Sequence, residues 1–179
     1  MWAKWSASYS QPPLGHVLRT AFKDRWVRVH NLPGGKRGFS EEGEKDEVLR
    51  RNNTVASSVL GIGSECVAWL THYGSEAPLG TWRAAGKPPK WDSDESLAEE
   101  LLEATFYFQV LAWSPHRLDD VILLAADGDL GPLTVLSLST HGIYCPYHGG
   151  ADLILPSSQY VASTKRLFAG WLSDLPSGL

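Results

Sequence analysis

The chain is 179 residues long, 43% hydrophobic and 20% charged, with eight Trp and a formal net charge of −4. These values fit one soluble globular domain and exclude wholesale disorder. No apolar run approaches the roughly 20 residues of a bilayer span, the start MWAKWSASYSQPPLGH has no apolar signal core, and two cysteines, Cys66 and Cys145, make no disulfide framework, so a cytoplasmic protein is expected.

In chain order, residues 1–13 read as a flexible N-terminal arm ending at Pro12-Pro13, and 14–179 as one α+β domain. Leu14, Val17, Leu18 and Ala21 share a helical face over 14–22, and RWVRVHNL (25–32) alternates as a strand ended by Pro33-Gly34-Gly35. DEVLRRNNTVASSVL (46–60) predicts a helix with acidic residues at its start, where the helix dipole favours them, and Gly61 and Gly63 stop it. CVAWL predicts a short buried strand, and residues near 74–95 a long surface loop. Ser96 followed by Glu99 fits a capping box opening a helix over 96–103, before the strand ATFYFQVLAW (104–113). Pro115 suits the first position of the next helix, which Gly128 ends. PLTVLSLS, GIYCPY and ADLIL then read as three strands, and Pro156-Ser157-Ser158 caps a last helix. Connections too short for crossover helices join those three strands, which predicts an antiparallel or mixed sheet with about four packed helices.

The stretch IYCPYHGGADLIL (143–155) is the most crowded in the chain. Cys145 and His148, with His141 upstream, fall short of the two spaced ligand pairs of a structural zinc site, and no carboxylate-bearing helix motif accompanies them. No metal or cofactor is expected. A cysteine nucleophile needs a thiol of lowered pKa beside an oriented base, and a proline-flanked strand offers no helix N-terminus for that. A small hydrolase or transferase built on His141, Cys145, His148 and Asp152 is the alternative reading. A turn explains the same residues more simply, since His148-Gly149-Gly150 gives the backbone positive-φ freedom.

GIGSEC lacks the third glycine of a dinucleotide fingerprint, and LPGGKR does not match a phosphate loop. The stretch 16–37 is basic. Arg19, Arg25, Arg28 and Arg37 give a third reading as a nucleic-acid binder, which the acidity of the whole chain disfavours. Asp119-Asp120 and Glu99-Glu100 are adjacent on helices, so their side chains diverge and make no acid/base dyad.

Charge is uneven along the chain. Residues 1–90 hold 13 Lys/Arg against 8 Asp/Glu, and residues 91–179 hold 3 against 12. Ten of those acidic residues lie between Asp92 and Asp129, opposed only by Arg117. An acidic surface attracts a basic partner and speeds its association.

LRTAFKDRWVRVHNLPGGKR (18–37) with EVLRRNNTV (47–55), and IYCPYHGGADLIL with LFAGWLSDLPSGL (167–179), resemble the two ends of a family of small bacterial proteins, frequent in actinobacteria, with a domain of unknown function. The likeness covers about two thirds of the chain and omits residues 74–103. The family pattern reads HPYDGG where this chain has Cys145 to Gly150, so a His is replaced by Cys145 and an acidic residue by His148. The resemblance implies membership and no reaction. Small acidic α+β bacterial proteins without a catalytic signature are also similar in type to immunity proteins, which bind and neutralise a toxin. The reading adopted is a non-enzymatic protein-binding module of that kind, meeting a partner with a basic surface through Trp82, Trp91, Asp92, Asp94, Glu95, Glu99 and Glu100. The sequence leaves the oligomeric state open.

Overall fold

The computed structural model describes residues 1–73, 80–91 and 94–173. It is an α+β fold around one antiparallel sheet. Strands β1 (Trp26–His30), β2 (Glu65–Tyr73), β3 (Arg83–Ala84), β4 (Ala104–Ala112), β5 (Leu133–Ser137), β6 (Ile143–Tyr147) and β7 (Gly150–Ile154) lie in the order β1-β7-β6-β5-β2-β4-β3. Every pairing is antiparallel, so the mixed-sheet alternative falls away. Six α-helices accompany the sheet among the described residues, two more than expected: α1 (Trp2–Ser6), α2 (Gly15–Ala21), α3 (Glu44–Leu60), α4 (Glu95–Glu103), α5 (Asp119–Asp127) and α6 (Val161–Leu167). None of them is long and apolar enough to cross a membrane.

The period-two pattern of the strands divides the core between the two sheet faces. Val27 and Val29, Cys66 and Ala68, Leu133 and Val135, Tyr144, and Ala151 and Leu153 pack toward α3 and α5. Their neighbours Val67 and Trp69, Leu136, Ile143 and Cys145, and Ile154 pack on the other face toward α1 and α2. Cys66 and Cys145 are therefore buried free thiols in different clusters.

Residues 1–13, expected to be a loose arm, are packed. Trp5 is buried and donates from Nε1 to the Gln11 carbonyl at 2.7 Å, Trp2 stacks on Trp69 at 4.4 Å, and the Tyr9 hydroxyl donates to the His141 carbonyl at 2.7 Å. Burying each large aromatic contributes about 1.5–3 kcal/mol, so the three rings together, with their hydrogen bonds, offset part of the chain entropy of ordering the segment.

Two helix starts differ from expectation. Asp94, not Ser96, caps α4, its Oδ1 accepting from the Leu97 N–H at 2.9 Å. The helix after Pro115 begins only at Asp119, because the intervening His116 has φ 66°, outside the helical region. The β6–β7 hairpin is as the glycines require. Gly149 has φ 100°, and a Cβ on Gly150 would lie 2.3 Å from the Val29 carbonyl oxygen, so only glycine lets β1 approach this end of β7.

Candidate functional site

The hairpin turn separates residues that the sequence sets close together. His141 sits at the β5–β6 turn and His148 at the β6–β7 turn, opposite ends of a five-residue strand and so about 17 Å apart along it. Cys145 points into the apolar layer, 3.6 Å from Thr134 Oγ1, and burial pushes its thiol up to about 12. His148 turns its Nδ1 to the Ala126 carbonyl at 3.1 Å, which places the ring proton on that nitrogen. Cys145, His148 and Asp152 do line one cavity of about 310 Å³, but no thiolate forms there at neutral pH. No group of three or more His, Cys, Asp or Glu among the described residues is placed to hold a metal ion.

Asp152 has another task. Its side chain is 3% exposed and ion-paired. Oδ1 accepts from Trp26 Nε1 at 2.7 Å and from Arg28 Nε at 2.8 Å, Oδ2 accepts from Arg28 Nη2 at 3.0 Å, and Arg19 Nη1 lies 3.6 Å away. The bidentate fork follows from the β1–β7 register, which sets Arg28 directly opposite Asp152. It locks the Arg28 guanidinium beneath the Tyr147 ring, 4.7 Å from the centroid.

Arg28 and Tyr147 also form a wall of a second cavity, of about 450 Å³, at the β1 edge of the sheet. Arg51 enters it from α3, with Nη1 donating to the His30 carbonyl at 3.2 Å and Nε to Glu47 Oε1 at 2.6 Å. Arg37 enters from the loop after Pro33–Gly35, is exposed, and forms no ion pair among the described residues. His30 stands among the three guanidinium groups. Burial and then the Arg28, Arg51 and Arg37 charges lower its pKa, against a hydrogen bond that the ring donates to the Gly149 backbone carbonyl, so the ring is neutral at pH 7. The far wall is the Ala169–Trp171 turn with Leu172 and Ser173, and Trp171 is held between Phe168, stacked at 5.3 Å, and the Arg50 and Arg51 guanidinium groups. Among the described residues no acidic side chain lines the cavity; Asp152 and Glu47 sit behind Arg28 and Arg51. Three guanidinium groups, one of them unpaired among the described residues, face one concave space, an arrangement with the chemistry to receive an anion.

The residues expected at an acidic docking surface are only partly brought together. Trp82 packs against the cluster on the α3 face and Trp91 against the cluster on the α1 face, where it meets Trp2 edge-on at 5.4 Å, so both are core-facing rather than protruding anchors on one surface. Glu100 is occupied by the Tyr73 hydroxyl and by His16 Nε2 at 3.2 Å. Asp94, Glu95 and Glu99 are exposed at and along α4; Asp92 lies outside the described residues. The four arginines of the nucleic-acid reading are likewise divided. Arg19 and Arg28 serve Asp152, and Arg25 donates to the Pro156 carbonyl and covers the Phe22 ring, leaving Arg37. The sequence reading missed His30 and Arg51. The signal for His30 was there, since alternation along β1 puts Trp26, Arg28 and His30 on one face; nothing local pointed Arg51 of α3 toward them.

The family model described as Domain of unknown function (DUF3885) matches residues 14–176, and the chain belongs to that family. The match spans residues 74–103, which the two motif stretches leave out. No curated protein and no solved structure matches the chain.

Proposed function

We propose that this chain is a non-enzymatic binding protein whose working site is the basic cavity at the β1 edge, and that the cavity takes an anionic group of its ligand. The observation that carries this is the exposed Arg37, unpaired among the described residues, facing the same space as Arg28 and Arg51, with no acidic side chain of the described residues in the lining. Arg28 and Arg51, held rigidly by their carboxylates, are preorganised for an incoming anion, and Arg37 adds a charge that no carboxylate among the described residues offsets. The stretches that carry the family resemblance supply Arg28, Arg37, Arg51, Tyr147 and Trp171 to this one cavity. Binding to the folded state alone raises thermal stability with ligand concentration. A thermal-shift titration with sulfate, phosphate, acetate and citrate, referenced to sodium chloride of equal ionic strength, therefore raises the Tm of the wild type for at least one anion and not of Arg37→Gln. No anion-specific rise in the wild type would remove the reading.

A second reading, an immunity-like complex with a basic protein, draws support from a different place. Asp94, Glu95 and Glu99 form an exposed acidic patch at the start of α4, and Leu102 nearby is 85% exposed. Affinity capture from native lysate at low and moderate salt tests it: one stoichiometric basic partner that Glu95→Lys with Glu99→Lys abolishes supports the reading, and a partner retained by that variant defeats it.

A further inference from the structure

The basic cavity has more room and more kinds of wall than a bare anion needs. At about 450 Å³ it falls within the roughly 300–1,000 Å³ of small-molecule sites. Its cationic groups come from three separate elements, Arg28 from β1, Arg37 from the following loop and Arg51 from α3. A planar carboxylate is satisfied by one guanidinium fork, whereas a tetrahedral dianion presents three oxygens that diverge toward three donors. Leu32, Trp171 and Leu172 complete the lining with apolar surface that an organic substituent would cover.

His30 adds the remaining element. Its ring lies against Gly35, 3.5 Å from where a Cβ would stand, and among the described residues the charged groups facing it are all cationic: Arg28 on its own strand, Arg37 on the loop and Arg51 on α3. The carboxylates of Glu47 and Asp152 are spent on Arg51 and Arg28, and burial keeps the Tyr147 phenol protonated, at about 12. A dianion entering this cluster reverses the local field, and a neutral imidazole then becomes a charged donor.

We infer that the cavity binds a phosphate monoester of a small organic molecule as its dianion, and that His30 takes up a proton as it binds. This rests on the anion-site reading above and names its ligand class. The sign follows from linkage: a ligand that raises the affinity of His30 for a proton binds more tightly as pH falls toward the pKa of the free protein.

Isothermal titration calorimetry with sulfate, which keeps both charges across the neutral range, measures the proton directly when run in two buffers of different ionisation enthalpy. The expected result is net proton uptake near pH 7, lost in His30→Gln, and an affinity that falls about tenfold in Arg37→Gln. Phenyl phosphate is expected to bind at least about tenfold more tightly than inorganic phosphate, because the apolar wall removes its ring from water. Acetate binding as well as sulfate, no proton uptake, or phenyl phosphate no tighter than phosphate would each overturn the inference while leaving an anion site in place. Failure of every anion to bind would remove the anion-site reading itself.

Discussion

The buried Asp152–Arg28 pair offers the sharpest test of how the site is held. Replacing Asp152 with Asn keeps the volume and one acceptor oxygen but deletes the charge, and its amide group then opposes an Arg28 N–H that previously donated. Arg28 is left with its side chain 8% exposed and no carboxylate except through rearrangement. Breaking one side of a buried ion pair costs about 3–5 kcal/mol. The lower end applies, because the neighbouring cavity of about 450 Å³ admits water to the guanidinium, so we expect about 3 kcal/mol. For a domain of this size that is roughly 6–12 °C in Tm. Urea unfolding followed by tryptophan fluorescence should show a lower midpoint at an unchanged slope, the mark of lost stability rather than altered compactness. The double variant Arg28→Met with Asp152→Leu should recover much of the loss, since removing both charges removes the desolvation penalty with them. Asp152→Asn within about 0.5 kcal/mol of wild type, which is the range of an ordinary surface change, would refute the reasoning.

Other consequences follow from individual residues. Cys145, buried and pushed up to about 12, should label with a disulfide reagent at neutral pH far more slowly than a free thiol, and at a rate that tracks unfolding; rapid labelling of the native protein would revive a nucleophile. Trp5→Ala should cost about 3–5 kcal/mol, because Trp5 is 1% exposed and packs edge-on to Trp69; a neutral effect in thermal unfolding would restore the flexible arm. Glu47 is held down to about 2, first by the Arg50 hydrogen bonds and also by Arg51, from an ordinary 4.5. Its contribution to stability is thus present above about pH 4.5 and lost as pH falls toward about 2. Glu47→Gln should flatten that part of the acid-unfolding profile, and an unchanged acid limb would count against the pairing.

Much of the fold was legible because its signals are local. Alternation marked β1, the 3.6-residue period marked α3, and the apolar runs broken by Thr140–Gly142 and His148–Gly150 marked the meander of β5, β6 and β7. Residues 1–13 pack where the sequence suggests an arm, for a physical reason: Pro12-Pro13 is a strong local breaker, whereas the partner of Trp5 is Trp69, 64 positions away. The clue was compositional, since Trp2, Trp5 and Tyr9 are too much apolar surface for a solvated tail. Trp82 and Trp91 are half-buried, each packed against a different core cluster, a division that no local pattern shows. The site was half legible. Arg28 and Arg37 were singled out as basic, but their meeting with Arg51 and Tyr147 depends on β1 pairing with β7, more than 100 residues later, and no periodicity encodes that.

Among the described residues the charge asymmetry along the chain is neutralised internally only in part. Among the described residues, Lys36, Arg50 and Arg51 pair with Glu41, Glu44 and Glu47 inside the first half of the chain, and the links between halves are Arg19 and Arg28 to Asp152 and His16 to Glu100. Glu95, Glu99 and Glu103 are left exposed on α4, which leads directly into β4. In the sheet order β4 stands five strand spacings from β1, about 24 Å at roughly 4.8 Å each. The Debye length at physiological salt is about 8 Å, so charges that far apart across a surface hardly influence one another. A basic partner on α4 and an anion at the β1 edge would therefore bind independently. Reversing the charges of Glu95 and Glu99 should leave sulfate affinity unchanged, and any strong coupling between them would have to travel through structure, either the sheet or the Glu100–His16 pair that joins α4 to α2, where Arg19 meets Asp152.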